Sequence, residues 1–407
     1  MRIYRREAYL EKMRPFYHDD MIKVITGVRR CGKSCLMQSV RDELLESGID
    51  AQDIVYLDLD RRGFRGIKTP EALEQAIAQR MGSGSRTYIF IDEVQNVAGF
   101  EEVVNAFREE DGCSIFLTGS NSYLLSGELT TKLTGRYIEF ELFTLSFHEY
   151  LEMKRFLGTE PGAISDEFET YLRYGGFPKS LSYDSVDAKQ VYVGDVVRQI
   201  VRKDIRQRAK IRNVDTFERV MNYVINNFGA TTSVGSITSY FNDVEHVPLT
   251  RETVKRYLTL LENAKLVEKC TRFDMKSRRS LGAREKYYVS DLGIYFSRNT
   301  DNRINYGPAL ENALYVYLRS RGYALSIGKI GALECDFIAR KHNSYAYIQV
   351  AMTIADRATE EREYRPFSHV RDNYPQYLFT LDTLLQERDG ITHENIAQFM
   401  AQGKDLT

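Results

Sequence analysis

The sequence predicts an α/β protein: a parallel sheet in the first third, then mainly helical modules and a final mixed segment. Apolar runs rich in β-branched and aromatic residues recur at 21–26, 53–59, 87–91 and 114–118. Segments of helical period at 34–46, 70–80 and 100–109 separate them, which is the alternation of parallel βαβ units. A fifth strand at 137–143 closes the unit. The first strand ends in a glycine-framed loop, Gly27-Val28-Arg29-Arg30-Cys31-Gly32-Lys33-Ser34, that opens a helix. Strand, loop and helix in that order give the G-x-x-x-x-G-K-S spacing the context of a phosphate-binding site.

Composition narrows the classes. The chain has 407 residues, 43% of them hydrophobic, enough for two to four domains with a substantial core. Lys and Arg number 56 against 57 Asp and Glu, so a nucleic-acid partner needs a local patch rather than the whole-molecule field. The first residues are charged and no apolar run is long enough to span a bilayer, which predicts a cytoplasmic protein without a membrane partner. Five cysteines are scattered singly without a C-x-x-C pair, as expected of free thiols rather than a zinc site or disulfide framework.

The loop chemistry follows from its backbone. Gly27 and Gly32 allow dihedrals that turn successive N–H groups toward an oligophosphate, and the following helix aims its N-terminus at the same charge. Lys33 reaches β- and γ-phosphates, and the Ser34 hydroxyl is placed to ligate Mg²⁺. A second signature, Tyr88-Ile89-Phe90-Ile91-Asp92-Glu93, is an apolar strand ending in two acids. Asp92 then joins Ser34 in holding Mg²⁺, and Glu93 orients the attacking water. The strand ending Thr118-Gly119-Ser120-Asn121 supplies Ser120 or Asn121 as a γ-phosphate sensor. Arg136, at the mouth of the fifth strand, suits stabilisation of phosphoryl charge in its own chain or a neighbour's. The expected nucleotide-binding set is Gly27, Arg29, Arg30, Cys31, Gly32, Lys33, Ser34 and Cys35 with Asp92 and Ser120. The metal set is Ser34 and Asp92, and the catalytic set Lys33, Glu93, Asn121 and Arg136.

Beyond about 145 the pattern turns helical. Leu145–Leu151 starts a helix, Pro161-Gly162 breaks the chain, and Tyr174-Gly175-Gly176-Phe177-Pro178 marks a sharp turn. A short helix at 234–241, a loop through Pro248, a helix at 250–263 opened by the N-cap Thr250, and strands near 266–273 and 285–290 match a winged helix-turn-helix. The last segment mixes a helix at 308–321 with strands at 323–327, 333–340 and 345–350. The expected domains are 1–145, 146–214, 215–300 and 301–407.

The loop motif, Phe90-Ile91-Asp92-Glu93-Val94-Gln95, Thr118 to Asn121, Leu133 to Arg136 and Tyr174 to Pro178 together resemble the bacterial and archaeal AAA-type P-loop ATPases that carry a C-terminal domain of unknown function. The resemblance covers essentially the whole chain. It implies an ATPase core, a helical lid with Gly175 to Pro178 near the nucleotide, a winged helix and a restriction-endonuclease-like α/β domain. ATP and Mg²⁺ are the implied cofactors, and a nucleotide-dependent homo-oligomer is compatible with such a core.

Two basic segments are candidate DNA contacts. Arg198, Arg202, Lys203, Arg206, Arg208, Lys210 and Arg212 crowd one expected helix, and Arg272, Lys276, Arg278, Arg279, Arg284 and Lys286 crowd the wing. Helix 250–263, with Arg251, Lys255 and Arg256, would read the groove; the competing reading is a solvated face or a protein contact. In the last segment Glu334-Cys335-Asp336 and Gln349-Val350-Ala351, with Glu311 on a preceding helix, resemble the metal strands of restriction-like nucleases. That chemistry needs an acid at 349 and a lysine at 351, which strand period sets on one face. Gln349 and Ala351 break the pattern, unless Lys329 or Lys341 substitutes. A degenerate nuclease fold kept for binding or regulation is therefore expected. The function implied is an ATPase coupling nucleotide state to DNA or a protein partner; the alternatives are a nucleotide-gated switch with little turnover, or an active nuclease.

Overall fold

Five parallel strands organise the first unit of the computed structural model: β1 (Ile22–Thr26), β2 (Ile54–Asp58), β3 (Thr87–Asp92), β4 (Cys113–Thr118) and β5 (Tyr137–Glu141), in the order β2-β3-β4-β1-β5. The structure describes residues 3–82, 84–110, 112–119, 133, 135–206, 209–274, 279–299, 304–330, 333–370 and 372–406, with no side-chain description at 279–283 and 330. The central strands β1, β3 and β4 are buried at every position, as their uninterrupted apolar runs require when helices cover both faces.

The helices of this unit are α1 (Glu7–Met13), α2 (Lys33–Glu46), α3 (Pro70–Ala78) and α4 (Phe100–Glu109). The Thr69 hydroxyl accepts the Ala72 N–H, and Pro70 sits where no helical N–H is needed, so the sequence sets the start of α3. Ile89, Ile91 and Leu117 pack with Leu73, Val104, Phe100 and Phe107 in one apolar cluster. Helix α1 is not announced by the sequence pattern.

The chain divides into two compact units, Met1–Phe143 and Thr144–Thr407. The second opens with helix Phe147–Phe156, capped reciprocally by Ser146 and Glu149. Helix Ile164–Tyr174 stops at Gly175, whose φ of 72° puts it in left-handed space. Helix Val186–Gln199 runs into π-helical turns over Ile200–Arg206. The expectation of one basic helix through 212 is corrected here: the Asn213 side chain accepts the Thr216 N–H and starts a separate helix, Val214–Asn226, so Lys210 and Arg212 lie in the connection.

Thr250 caps helix Arg251–Asn263, its hydroxyl accepting the Thr253 N–H, and the hairpin β7 (Val267–Asp274) and β8 (Arg279–Val289) follows. Strand β6 (Thr231–Thr232) flanks β8. After helix Tyr306–Ser320 come β9 (Ala324–Ile330), β10 (Leu333–Lys341), β11 (Ser344–Val350), β12 (Gln376–Thr380) and β13 (Thr392–Asn395). Among the described residues these strands form a single eight-stranded sheet, β13-β12-β11-β10-β9-β7-β8-β6. The join is a parallel pairing of β7 with β9, Arg272 opposite Ile327 and Asp274 opposite Lys329. Hairpin and terminal strands thus share one hydrogen-bonded sheet.

Candidate functional site

At the carboxyl end of β1 the backbone leaves ordinary space three times within six residues: φ is 141° at Gly27, 69° at Arg30 and 111° at Gly32. The two glycines have different reasons. A Cβ on Gly27 would stand 2.1 Å from the Leu142 carbonyl oxygen, whereas one on Gly32 would meet nothing within 4 Å. Gly27 is therefore demanded by packing within the protein, and Gly32 by its dihedral. Gly32 also caps α2, whose first turn contains Lys33 and Ser34, so the loop amides and the positive end of a 14-residue helix share one concavity. Cys31 is fully buried within the loop, and Cys35 is exposed on the first turn. Arg6, which the sequence reading missed, is buried and donates to the Phe143 carbonyl at 2.6 Å and to that of Cys31 at 3.4 Å. It clamps the loop to the end of the sheet; nothing local in its sequence signals this.

Lys33 is only 8% exposed, its ammonium donating to the loop's own carbonyls, Gly27 at 2.9 Å and Val28 at 3.3 Å. Asp92, ending β3, is 2% exposed. Burial pushes its carboxyl pKa up, while hydrogen bonds from the Thr118 and Ser34 hydroxyls oppose the rise. The structure thus brings Ser34 and Asp92 together through a direct hydrogen bond. Thr118, outside the expected set, is the pivot: its hydroxyl donates to Asp92 and accepts the Glu93 N–H at 3.2 Å. Glu93 takes a left-handed conformation, φ 58°, and its carboxylate accepts from the Gln95 amide.

Ser120 and Asn121 lie outside the described residues. Arg136 precedes β5, which pairs in parallel with β1 from Ile22 opposite Tyr137. It therefore stands at the amino ends of the strands, the edge opposite the phosphate loop, with its guanidinium 3.6 Å from Glu109. The sequence leaves open whether Arg136 acts in its own chain or on a neighbour; this register sets it apart from its own phosphate loop. Gly175 and Gly176 belong to the second unit, where a Cβ on Gly176 would stand 2.2 Å from the Leu145 carbonyl oxygen and both glycines lie against Asp291. Its Oδ2 accepts the Gly176 N–H at 2.8 Å, and a Cβ on Gly175 would fall 1.7 Å from its Oδ1. Asp291 is buried, which raises its pKa from 3.8 to about 6 despite the Gly176, Thr144 and Gly293 hydrogen bonds.

The basic segments separate in character. Arg202, Lys203, Arg206, Lys210 and Arg212 are exposed. In the hairpin, Arg272 and Lys286 turn inward, the former to Glu334 at 2.5 Å and the latter to Glu311 at 2.8 Å. These two are corrected from candidate phosphate contacts to internal ion pairs. Arg284 is exposed, Lys276 and Arg278 lie outside the described residues, and the Arg279 side chain is likewise not described. On helix Arg251–Asn263, Arg256 donates to the Lys210 carbonyl at 2.6 Å. Lys341 pairs with Asp405 at 3.5 Å, away from the acids it was considered for, and Lys329 stands across the strand pair from Glu334. Among the described residues no helix is long and apolar enough to cross a membrane.

Comparisons with known proteins agree with this geometry. A family model described as an AAA domain matches residues 19–151, and one described as a domain of unknown function (DUF8612) matches residues 165–302. An uncharacterized protein of Haemophilus influenzae is 35% identical over 399 residues, 98% of each chain. An uncharacterized protein of Methanocaldococcus jannaschii is 27% identical over 360 residues, 85% of this chain and 78% of its own. Of solved structures, the ORC1 protein of Aeropyrum pernix in complex with DNA covers 73% of this chain and 92% of its own, at 12% identity and a TM-score of 0.32, an overlap too loose to bear on function. The chain thus carries an AAA domain over residues 19–151, on an all-parallel five-stranded sheet, and belongs to the same family as the Haemophilus influenzae relative.

Proposed function

We propose that the chain binds ATP with Mg²⁺ and hydrolyses it, and that nucleotide state governs its hold on DNA or a protein partner. One observation carries this reading: a nearly buried carboxylate, Asp92, held by the Ser34 and Thr118 hydroxyls where β3 and β4 end beside the loop. Among the described residues the hydrogen bonds given to this buried carboxylate come from neutral hydroxyls, which do not offset its charge, and Ser34 with Asp92 is an oxygen donor set that suits Mg²⁺. The ion, when bound, would neutralise charge on the phosphates. The loop N–H groups and the N-terminus of α2 would cradle the phosphates, and the Lys33 ammonium would exchange its carbonyl partners for phosphate oxygens. Glu93 would orient and deprotonate water.

The exposed Arg202, Lys203, Arg206, Lys210 and Arg212 supply the proposed phosphate-binding surface for duplex DNA. A switch with little turnover is favoured by a different contact: Gln95 donates to one oxygen of the Glu93 carboxylate, which competes with water for that group. Arg136, at the far edge of its own sheet, is proposed to reach only a nucleotide in a neighbouring copy.

Calorimetry with ATP and Mg²⁺, then turnover with and without duplex DNA, tests the proposal. Binding that disappears in Lys33→Ala, and turnover that falls by at least about 100-fold in Glu93→Gln, is the expected pair. A flat low rate unaffected by DNA and by Glu93→Gln would favour the switch, and absence of binding in folded wild-type protein would refute both.

A further inference from the structure

The acids of the terminal sheet form the most concentrated group of titratable side chains outside the phosphate loop. Glu311 comes from helix Tyr306–Ser320, Glu334 and Asp336 from β10, and Lys286 enters from β8 of the hairpin. The Lys286 ammonium lies 2.8 Å from Glu311 Oε2 and 3.9 Å from both Glu334 Oε1 and Asp336 Oδ1. Its side chain is 7% exposed. Burial alone would lower its pKa, yet Glu311, Asp336 and Glu334 hold it above the usual value.

Other protein groups share these carboxylates. The Arg272 guanidinium takes Glu334, and the Tyr288 hydroxyl donates to Glu311 at 3.1 Å. The other Asp336 oxygen accepts the Val350 N–H at 2.9 Å. Gln349, opposite Asp336 across β10 and β11, accepts the Asp336 N–H at 2.8 Å and donates to Glu363 at 2.8 Å, which Arg362 also neutralises.

We infer that this cluster is a cation site whose cation is built into the chain: the Lys286 ammonium takes the position that a divalent ion holds in nucleases of the resembled class, closing the site to metal. Two cations, the Lys286 ammonium and the Arg272 guanidinium, already face the three acids, and burial pushes the Asp336 carboxyl pKa well up. A divalent ion entering beside Lys286 would meet a like charge at short range, in a medium that screens it weakly. It would also have to strip oxygens from their partners to reach its contact distances of roughly 2.0–2.6 Å. Among the described residues no group of three or more acids, histidines or cysteines is arranged to hold a metal. The residues present therefore do not fit the ion that the resemblance implies. The same contact ties the hairpin to the terminal strands.

Mn²⁺ binding, measured without nucleotide by the loss of the free-ion resonance signal and by thermal melting, tests this. Wild type and Lys286→Met are each compared with the same protein carrying Asp336→Asn, which cancels any ion held at the phosphate loop. Wild type is expected to bind no Mn²⁺ beyond its Asp336→Asn control. Lys286→Met is expected to gain at least about tenfold in Asp336-dependent Mn²⁺ affinity, and Lys286→Arg to remain without metal. If Lys286→Met does not fold in metal-free buffer, Mn²⁺ is expected to restore it. Mn²⁺ bound by the wild type and lost with Asp336→Asn would overturn the inference, as would Mn²⁺-dependent plasmid nicking abolished by that change. A Lys286→Met protein that gains no affinity, or that folds in neither buffer, would also overturn it.

Discussion

Replacing Lys23 by methionine removes a buried charge from β1, the strand that feeds the phosphate loop. Lys23 is fully buried; its ammonium donates to the Asp19 carbonyl at 2.9 Å and the Ser114 hydroxyl at 2.8 Å, and lies 4.7 Å from the Phe116 ring centroid. Desolvation lowers its pKa from 10.5 to about 7, with Asp19 opposing. The unfolded chain therefore binds a proton that the folded chain releases between those values, and wild-type stability rises with pH across that window. At about 1.4 kcal/mol per unit, the shift costs about 4 kcal/mol at pH 7. Methionine forfeits two hydrogen bonds, about 1 kcal/mol each. The variant should then be more stable than wild type by about 2 kcal/mol at pH 7, with the advantage vanishing near pH 9 and reversing above it. Urea denaturation followed by circular dichroism from pH 6 to 10, with hydrogen exchange at the β1 amides as the local readout, measures the gap. A gap that stays constant with pH, or a wild type more stable at pH 7, would refute the placement of a desolvated ammonium inside this sheet.

Gly27→Ala should destabilise the first unit by at least about 3 kcal/mol in thermal melts, because its Cβ meets a carbonyl at 2.1 Å. Gly32→Ala, with open space around its Cβ, should cost only about 1–2 kcal/mol of dihedral strain while still weakening ATP binding. The raised carboxyl pKa of Asp291, about 6 against 3.8, means that the folded chain keeps a proton the unfolded chain has released. Stability conferred by this group is thus complete below pH 3.8 and lost as pH rises through 6. Relative to the non-titrating Asp291→Asn, wild type should lose about 3 kcal/mol across that range in denaturant melts. Charge reversal of Arg202, Lys203 and Arg206 should weaken duplex DNA binding and reduce the salt slope of log K by about 3, read by fluorescence anisotropy.

The phosphate loop was legible because its information is local: two glycines at fixed spacing, an apolar strand before them and a helix after. Asp92 was legible because an acid closing a parallel strand must emerge at the edge where the loop lies. Thr118 was half legible, since its strand end was singled out but the bridging hydroxyl is a relation between β3 and β4 that neither sequence segment contains alone. Arg136 shows what a local reading leaves open. Placing it before a strand was sound, yet in a parallel sheet the start of a strand lies at the edge away from a loop that follows one. Two basic residues of the hairpin were misread for a third reason. A run of basic residues records charge but not facing, and strand alternation sends Lys286 inward to acids that follow it by 25 to 50 positions. Those acids were recognised, and so was the missing lysine at Ala351; the amine that meets them was counted as a DNA contact.

The parallel pairing of β7 with β9 sets a limit on dissection. A chain terminated near residue 300 would leave the β7 edge without its neighbour, baring a row of N–H and C=O groups beside an apolar face. Such an edge recruits strands from other molecules. It would also strand Lys286 and Arg272 without their acids. Expressing the hairpin region alone should therefore give aggregates, whereas a cut that respects the division at Phe143 and Thr144 keeps all eight strands covered.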